Sequence, residues 1–515
     1  MAFLEGKLIR NFDEVIKKFL ELNEKMQEIG EAVSLMYWDL RTGAPINCVT
    51  HRSKVIGALS TDIFKISIGE EMKASIEFLE IKENFDKLDP IQKCLIKESR
   101  KEFDRYTKIP EEMYREYVIL TSESESAWED AKRDDDFDGF KVYLEKIVDF
   151  NKKFIEIWGF EGHPYNTLLE YYEPGMTVDQ MDGIFAIVRG RTLAILKKIE
   201  NSEIEIDDSI FSRVHFDKLK QEKLCVKMLE AIDFKLESGR LDESEHPFTT
   251  GISSPSDVRL TTKYHNDNLS SALLSTLHEG GHGIYEQNIS PDLEGTILAT
   301  GTSSGIHESQ SRFFENVIGR SESFWKAYYT EVSAIFPEEF KDINSKDFFK
   351  ALNKVKPALV RIEADELTYN LHIMVRYEIE KGLFDGSYKV DNLPKIWKNK
   401  MKEYLGIEPE DNKSGVLQDV HWGAGLFGYF PSYSLGNMYA AQFLNALKKD
   451  IPDFEEKIAR REMREIKKWM VDKVHRHGKL FSPSEIVMKA TGEPINAVYL
   501  MDYLENKFSY VYGFK

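Results

Sequence analysis

The stretch TLHEGGHGIYEQ, residues 276–287, decides the fold prediction because it combines helical periodicity with an unexpected run of glycines. Apolar residues recur at three- and four-residue spacing from about residue 268 to residue 287, which predicts an amphipathic helix. Each glycine inside a helix costs about 1 kcal/mol relative to alanine. Because Gly280, Gly281 and Gly283 all fall in this helix, some structural or functional requirement must outweigh the helix propensity that they lose.

The same stretch places two histidines and a glutamate where they can serve one metal ion. His278 and His282 are four residues apart, so both side chains project from one face of the helix. Together with Glu279 they form the HExxH pattern, in which two imidazoles bind zinc and the glutamate acts as general base on a metal-bound water. Our hypothesis is that the glycines let the metal, water and substrate approach the helix closely.

The motif requires a third ligand, and the sequence predicts that Glu308 supplies it. The pattern with a third histidine needs glycine and histidine at positions 285 and 288, which are Tyr285 and Asn288 here. Glu308 lies instead in GTSSGIHESQSRFFENVIG, residues 301–319, where Thr302 or Ser303 can cap a second helix. Two histidines and a glutamate leave a fourth zinc position open, as in catalytic sites.

His307 precedes the predicted ligand but points elsewhere. Neighbouring helical positions diverge by about 100°. We therefore expect His307 to contact a metal ligand or lie on the surface, and not to bind the metal itself.

Composition excludes several classes of function. The chain has 515 residues and a formal net charge of -19, which disfavours binding to nucleic acid or to anionic membrane surfaces. No run of about 18 apolar residues is present, so no membrane span is predicted. The amino terminus lacks the uninterrupted apolar segment of a secretory signal, and only three cysteines occur, far apart. These features predict a cytoplasmic protein.

Helical periodicity dominates the chain, with one exception just before the opening stretch. Residues 246–267, HPFTTGISSPSDVRLTTKYHND, predict a short antiparallel hairpin because threonine and valine are flanked by glycine, serine and proline. No Pro/Gly/Ser-rich linker or internal repeat divides the sequence, and we predict a single domain over residues 1–515. Residues 134–145, DDDFDGFKVYLE, match a calcium-loop formula. They are unpaired and carry Lys141 at an apolar position, so we interpret them as a capped helix start.

Four further motifs accompany HEGGH in order along the chain. They are DVRLT at residues 257–261, HESQ at 307–310, VRIEAD at 360–365 and GVLQDVHW at 415–422. With these motifs the sequence resembles the carboxypeptidase Taq family of zinc metallocarboxypeptidases over nearly its whole length. The resemblance implies a mainly helical fold with a small antiparallel sheet beside a deep active-site groove, amino-terminal helices that cover the groove, and a homodimer.

The resemblance departs near the amino terminus, in MYWDLRTGAPINCVTHR, residues 36–52. The family stretch is built on WDQET followed by MP, whereas this chain has Leu40, Arg41 and Ala44. This segment is expected to border the groove, so the family's substrate preference is not transferred.

A carboxypeptidase must bind the terminal carboxylate of its substrate, and the fork of an arginine side chain suits this task. The motif arginines are Arg361 and Arg259, and Arg361 is the first candidate. We expect a helical segment RIEADELTYNLH, residues 361–372, to present Arg361 and Asp365 on one face. The alternative is that Arg361 forms an ion pair that orients the site without touching substrate.

The remaining motif residues have more than one possible role. His421 and Tyr433 can donate hydrogen bonds to a tetrahedral intermediate, although Tyr433 can equally be a core aromatic residue. Asp257 and Asp365 can accept hydrogen bonds from the ligand imidazoles or can cap helices. The sequence does not choose between these alternatives.

We therefore predict a zinc-dependent metallocarboxypeptidase that releases single amino acids from peptides with a free carboxyl terminus. A metal-bound water would attack the last peptide bond with Glu279 as general base. One divalent ion per chain is expected, and cobalt or manganese could replace zinc. The alternatives are an oligopeptidase, endo-acting or dipeptide-releasing, and a non-catalytic peptide-binding scaffold.

Overall fold

Helices build most of the chain, as its periodicity predicts. The computed structural model describes residues 11–515; residues 1–10, on which part of the amino-terminal prediction rests, lie outside the described residues. Within the described residues, ten α-helices precede the strands: α1 (Phe12–Thr42), α2 (Val49–Ser67), α3 (Glu70–Leu79), α4 (Lys82–Phe85), α5 (Pro90–Thr107), α6 (Glu111–Asp134), α7 (Phe137–Trp158), α8 (Asn166–Tyr172), α9 (Val178–Glu200) and α10 (Lys218–Ala231).

The second half of the described chain contains eleven α-helices, of which α11 and α12 bear the HEGGH and HESQ motifs. They are α11 (Leu269–Glu286), α12 (Ser304–Arg312), α13 (Glu322–Ile335), α14 (Ser345–Leu352), α15 (Tyr369–Asp385), α16 (Leu393–Leu405), α17 (Phe430–Asp450), α18 (Phe454–Ala459), α19 (Met463–Lys473), α20 (Pro483–Thr491) and α21 (Val498–Tyr512). A π-helical segment, Phe313–Ile318, continues directly from α12.

A three-stranded sheet stands before α11. Strands β2 (Thr249–Ser253) and β3 (Asp257–Thr262) form the predicted antiparallel hairpin, so that prediction is confirmed. A strand that the sequence analysis missed, β1 (Gly239–Glu243), pairs parallel with β3 and gives the order β1-β3-β2. Its sequence GRLDE carries three charges and no apolar alternation, which explains why periodicity did not reveal it.

The helices pack around a continuous apolar core. Buried hydrophobic side chains from Val15 to Tyr512 belong to one contact cluster, and the mainly helical fold with a small sheet is confirmed. The suspected calcium loop is the predicted capped helix start, because the Asp136 side chain accepts a hydrogen bond from Gly139 N at 3.0 Å at the start of α7. Within residues 11–515, no helix is both long and apolar enough to cross a bilayer.

The first helix lies against the sheet next to the motif-bearing helix. Trp38 of α1 contacts Phe248 just before β2, with ring centroids 5.4 Å apart. The guanidinium of Arg259 on β3 lies 5.8 Å from the centroid of the Trp38 ring. The segment that departs from the family pattern therefore packs on the strands that lead into α11.

Candidate metal centre and active site

The two helices predicted at the candidate metal-binding segments are present, and the cap predicted for the second one is confirmed at Ser303. Helix α11 begins after Asn268, whose side chain accepts a hydrogen bond from Ser271 N at 3.2 Å. Helix α12 begins after Ser303, whose hydroxyl accepts from Ile306 N at 3.0 Å. The amino-terminal end of each helix is thus fixed by a side chain that accepts a hydrogen bond from an otherwise unpaired amide of the first turn.

The three predicted ligands meet between these two helices. One ligand atom from each of His278, His282 and Glu308 lies within 4.8 Å of the other two. Oε2 of Glu308 is 3.7 Å from Nε2 of His278 and 3.4 Å from Nε2 of His282. Two imidazole nitrogens and one carboxylate oxygen are the donor set of a catalytic zinc site, so these residues fit a divalent metal.

The glycines have a different purpose from the one the sequence suggested. A Cβ on Gly281 would lie 2.4 Å from Gln310 O and 2.7 Å from Ser311 Cα, both backbone atoms of α12. Cβ atoms on Gly280 and Gly283 would meet apolar side chains of the core instead. The hypothesis that these glycines admit metal, water and substrate is therefore wrong. They let α11 pack closely, and Gly281 brings α12 near enough for Glu308 to face the histidines.

His278 is oriented by Glu315, a residue the sequence analysis did not assign. Nδ1 of His278 lies 2.9 Å from Oε2 of Glu315, which leaves Nε2 free to bind a metal. Arg312 contacts the same Glu315 oxygen at 3.2 Å. Although burial raises the pKa of the Glu315 carboxyl, Arg312 and His278 lower it to about 2, so the group is ionised at neutral pH. Glu315 follows Glu308 by seven residues, about two helical turns, so a continued helix places both side chains on one face. This spacing could have identified Glu315 from the sequence.

His282 is oriented by a longer chain of hydrogen bonds. Its Nδ1 lies 2.6 Å from Nδ1 of His307, and Nε2 of His307 lies 2.8 Å from Oε1 of Glu286. The Glu286 carboxylate only accepts, so a neutral His307 carries its proton on Nε2 and accepts at Nδ1. His282 then donates from Nδ1 and keeps Nε2 for the metal. His307 thus contacts a ligand, one of the two positions expected for it.

Glu308 itself is held as an anion. Arg312 Nε donates to Oε1 at 2.6 Å, and the Ser311 hydroxyl donates to Oε2 at 3.1 Å. Burial raises the pKa of the Glu308 carboxyl, but Arg312 and the two histidines more than offset this and keep it well below its usual range. The first turn of α12 is fixed in turn by Glu173, whose Oε2 accepts from Gly305 N at 3.0 Å.

Glu279 lies beside the ligands without binding to them. The Thr249 hydroxyl on β2 donates to Oε2 of Glu279 at 2.6 Å. Only 6% of the residue is exposed, and this burial raises the pKa of its carboxyl above the ordinary value. A buried carboxylate with a raised pKa is suited to accept and return a proton.

Arg361 is buried in an ion pair, the alternative that the sequence left open. Its Nε and Nη2 donate to Oδ1 of Asp419 at 3.2 and 2.9 Å, and Nη1 donates to the Tyr369 hydroxyl at 2.9 Å. Oδ2 of Asp419 accepts from Arg376 Nε at 2.7 Å. The two arginines hold the pKa of the Asp419 carboxyl well below its usual range despite its burial.

The expected helical pairing of Arg361 with Asp365 is wrong. Residues Arg361–Glu363 form a 3-10 turn, and α15 begins only at Tyr369. Asp365 accepts from Leu367 N and Thr368 N, each at 2.9 Å, and so fixes the turn that precedes α15.

Neither of the two motif aspartates, Asp257 and Asp365, contacts an imidazole of the candidate metal ligands. Asp365 fixes the turn before α15 without capping the helix itself, and Asp257 pairs with Arg259, whose Nη2 donates to Oδ2 at 2.7 Å. The carboxylates that serve the imidazoles are Glu315 and, through His307, Glu286.

His421 and Tyr433 lie together on the side of the site formed by α17. Nε2 of His421 and the Tyr433 hydroxyl are 3.2 Å apart. Burial lowers the pKa of His421 to about 4, so its ring is neutral at pH 7. One turn beyond Tyr433, a Cβ on Gly436 would lie 2.4 Å from Cγ of Glu308, which shows that this face of α17 packs directly on the metal-binding helix.

Known proteins match the chain over nearly its full length. The profile of the carboxypeptidase Taq (M32) metallopeptidase family matches residues 18–508. Carboxypeptidase 1 of Bacillus subtilis is 47% identical over 496 residues, which cover 96% of this chain and 98% of that protein. Thermostable carboxypeptidase 1 of Thermus thermophilus is 36% identical over 508 residues, covering 96% and 99%. The crystal structure of the M32 carboxypeptidase from Deinococcus radiodurans superposes with a TM-score of 0.93 at 30% identity, covering 96% and 99%.

Proposed function

Since this chain belongs to the carboxypeptidase Taq (M32) family and is a metallocarboxypeptidase, we propose that it removes single residues from the carboxyl ends of peptides with a zinc ion bound by His278, His282 and Glu308. The convergence of these three side chains beside the Glu279 carboxylate is the observation that carries the proposal. The sequence-based assignment of a metallocarboxypeptidase is confirmed by the family and its relatives.

The donor set supports zinc as the resident metal. Nδ1 of each ligand histidine is engaged by Glu315 or His307, so both Nε2 atoms are available, and Oε2 of Glu308 faces them. When bound, the metal acidifies a water molecule and polarises the scissile carbonyl group. Cobalt or manganese can occupy the same donors, because affinity for N and O ligands follows a common order.

Glu279 moves the proton in this proposal. Its carboxylate accepts a proton from the attacking water and returns it to the nitrogen of the leaving amino acid. The Thr249 hydroxyl holds Oε2, which leaves Oε1 as the oxygen that exchanges the proton. Burial keeps the pKa of this carboxyl above its ordinary value, which brings it nearer to the pH at which both transfers must occur.

Arg361 remains the first candidate for the terminal carboxylate. A guanidinium has five N–H donors, and the contacts to Asp419 and Tyr369 engage Nε, Nη1 and Nη2 once each. One N–H on each terminal nitrogen is therefore left for a bidentate contact with substrate. Arg259 is the second candidate, since its Nη1 takes no part in the pairing with Asp257.

His421 and Tyr433 are the proposed donors to the tetrahedral oxyanion. The Tyr433 hydroxyl is a donor whose pKa is raised well above the ordinary value by burial, so it keeps its proton. If Nε2–H of His421 donates to the Tyr433 oxygen, the tyrosine keeps its O–H for the oxyanion, and His421 would donate to the oxyanion only when this contact opens. Removal of one donor of this kind costs on the order of 10²–10³ in rate.

Mass spectrometry of one peptide with a free and with an amidated carboxyl terminus tests the proposal. We expect stepwise loss of carboxyl-terminal residues from the free peptide only, abolished by a chelator and restored by zinc or cobalt. Internal cleavage of both peptides would instead establish an oligopeptidase, and release of residue pairs would establish a dipeptide-releasing enzyme. Absence of cleavage with every metal would favour the peptide-binding scaffold.

We also propose that the protein is a single-domain cytoplasmic homodimer with α1 as one wall of its groove. The contact between Trp38 and Phe248 supports the position of α1, and all three cysteines are free thiols, which suits a reducing compartment. Light scattering on the purified enzyme should give twice the chain mass. Cell fractionation should recover the enzyme with cytoplasmic markers, and calorimetry should show one cooperative transition.

A further inference from the structure

Helix α12 passes directly into the π-helical segment Phe313–Ile318 before the chain turns. Gly319 N donates to Phe314 O, five residues back, at 2.9 Å, which is the hydrogen bond of a π-helix. Such turns are rare and often occur at functional sites. Glu315, which orients His278, belongs to this segment. The direction of its carboxylate therefore depends on the shape of the π-helical turn.

The last carbonyl groups of a helix find no partner within it and need donors from elsewhere. The backbone oxygen of Asn316 obtains two donors from α21. The Tyr503 hydroxyl donates to it at 3.0 Å, and Lys507 Nζ donates to it at 3.3 Å. Lys507 also donates to the Tyr503 hydroxyl at 3.1 Å, so the two side chains act together. The helix dipole further favours a positive charge at this end of the segment.

The ammonium group of Lys507 is buried and paired. Only 9% of its side chain is exposed, and Nζ lies 2.5 Å from Oε2 of Glu366, whose side chain is 5% exposed. A buried ion pair often contributes little net stability, because desolvating two charges offsets their attraction. The contacts of Lys507 therefore point to a role in holding Asn316, and not to stability alone.

The side chain of Asn316 connects the held carbonyl group to Glu315. Its Oδ1 accepts from Arg320 Nε at 3.1 Å, and Nη2 of Arg320 lies 3.6 Å from Oε1 of Glu315. Oε2 of the same carboxylate faces Nδ1 of His278 at 2.9 Å. One oxygen of Glu315 is thus held by an arginine that Asn316 aligns, while the other orients the metal ligand.

We propose that Lys507, together with Tyr503, is a positioning residue for the metal centre and acts on it through Asn316 and Glu315. Helix α21 holds the end of the π-helical segment and, with it, the direction of the Glu315 carboxylate. This role rests on the proposed function, because a carboxylate that orients a ligand is needed only where a metal binds.

Two variants remove donors to the Asn316 oxygen. Tyr503→Phe deletes only a hydroxyl group. Lys507→Met alone would leave Glu366 buried without a partner, so it is combined with Glu366→Gln, which removes both charges.

The zinc dissociation constant, measured by competition with a chromogenic chelator, should rise in both variants. Loss of a group that contacts a ligand directly costs about 10–100-fold in metal affinity, and these residues act at least one contact further away. We therefore expect a rise of about threefold for Tyr503→Phe and about tenfold for Lys507→Met/Glu366→Gln.

Lys400→Met is the matched control. Lys400 lies on α16 with 19% of its side chain exposed and pairs with Glu378 of α15 and with Glu403, which are not part of the proposed metal centre. Its loss should lower the urea midpoint but leave the zinc dissociation constant within about twofold of wild type.

The visible absorption of the cobalt-loaded chain separates positioning from loss of stability, because these bands depend on the geometry of the ligands around cobalt. The spectrum should shift in Lys507→Met/Glu366→Gln and stay unchanged in Lys400→Met. If the double variant does not fold, the zinc affinity and cobalt spectrum of Tyr503→Phe decide the question.

The two levels of the proposal fail differently. If the wild-type chain binds neither zinc nor cobalt, or binds them and trims no peptide, the proposed function is wrong. If the wild type binds zinc and trims peptides, while the α21 variants change zinc affinity and cobalt spectrum no more than Lys400→Met does, only the role of Lys507 and Tyr503 is overturned.

Discussion

Replacing Gly281 with alanine adds one methyl group where α11 touches the backbone of α12. The new Cβ would lie 2.4 Å from Gln310 O and 2.7 Å from Ser311 Cα, whereas carbon atoms prefer separations of about 3.5–4.0 Å. Backbone atoms cannot rotate away as a side chain can, so α12 must move by about 1 Å. Metal–ligand bonds tolerate displacements of about 0.2 Å, and Glu308 moves with α12.

The Gly281→Ala substitution has two opposite effects on stability, a gain in helix propensity and a loss from overpacking. Alanine gains about 1 kcal/mol in propensity, whereas overpacking costs about 1–3 kcal/mol, so the free energy of unfolding should fall by about 0–2 kcal/mol. The displacement of Glu308 should weaken zinc binding by at least about tenfold. Competition with a chromogenic chelator measures the zinc affinity, and urea unfolding of the metal-free chain measures the stability.

The neighbouring Gly280 provides a matched control. A Cβ at this position would meet Ile232 Cδ1 at 2.7 Å and Leu229 Cδ2 at 2.9 Å, which are the mobile ends of side chains on or just after α10. Gly280→Ala should therefore keep its zinc affinity within about threefold of wild type. If Gly281→Ala bound zinc as tightly as Gly280→Ala and unfolded at a higher urea concentration, close packing of α11 on α12 would not be the reason for the glycine.

Three further variants test the roles of carboxylates. Glu279→Gln should lower kcat/KM by about 10²–10⁴ with zinc content unchanged, and wild-type turnover would contradict its role as proton acceptor. Glu315→Gln weakens the hydrogen bond to His278 Nδ1, so the zinc dissociation constant in a competition titration should rise by about 10–100-fold; an unchanged constant would show that Glu315 does not orient the ligand. Burial raises the pKa of Glu173 from 4.5 to about 7, so the folded chain keeps a proton that the unfolded chain releases between these values. Stability is therefore lost as pH rises from about 4.5 to 7, by up to roughly 3 kcal/mol from this group, and Glu173→Gln should show a flatter urea-midpoint profile over this range; parallel profiles would refute the assignment.

The sequence predicted the features that local helical geometry determines. His278 and His282 share a face because they are four residues apart. A cap at Thr302 or Ser303 was predicted, and Ser303 is the cap because its hydroxyl reaches the amide three residues on. Periodicity likewise predicted α11 within a residue of its observed bounds. Each of these inferences depends on groups within one or two turns of one another.

The features that sequence reasoning missed depend on distant contacts. Asp419, which pairs with Arg361, is 58 residues further along the chain, and Arg376, which also pairs with Asp419, lies in α15. The backbone that excludes a side chain at Gly281 lies about thirty positions further on. Local spacing carries no information about such encounters, which explains why the glycines were assigned to the metal and Arg361 to a helical pair.

The arrangement of α12 against α17 bears on how this enzyme can diversify. The proposed metal ligands and the side chains that contact them fall between Thr249 and Glu315, whereas Arg361, His421 and Tyr433, which are proposed to contact the last residue of the substrate, come later in the chain. The two stretches meet where Gly436 packs on Glu308. Mutagenesis libraries aimed at new substrates can therefore vary other residues of the later stretch, provided that Arg361, its partner Asp419, His421, Tyr433 and Gly436 are retained, without replacing any residue of the proposed metal centre.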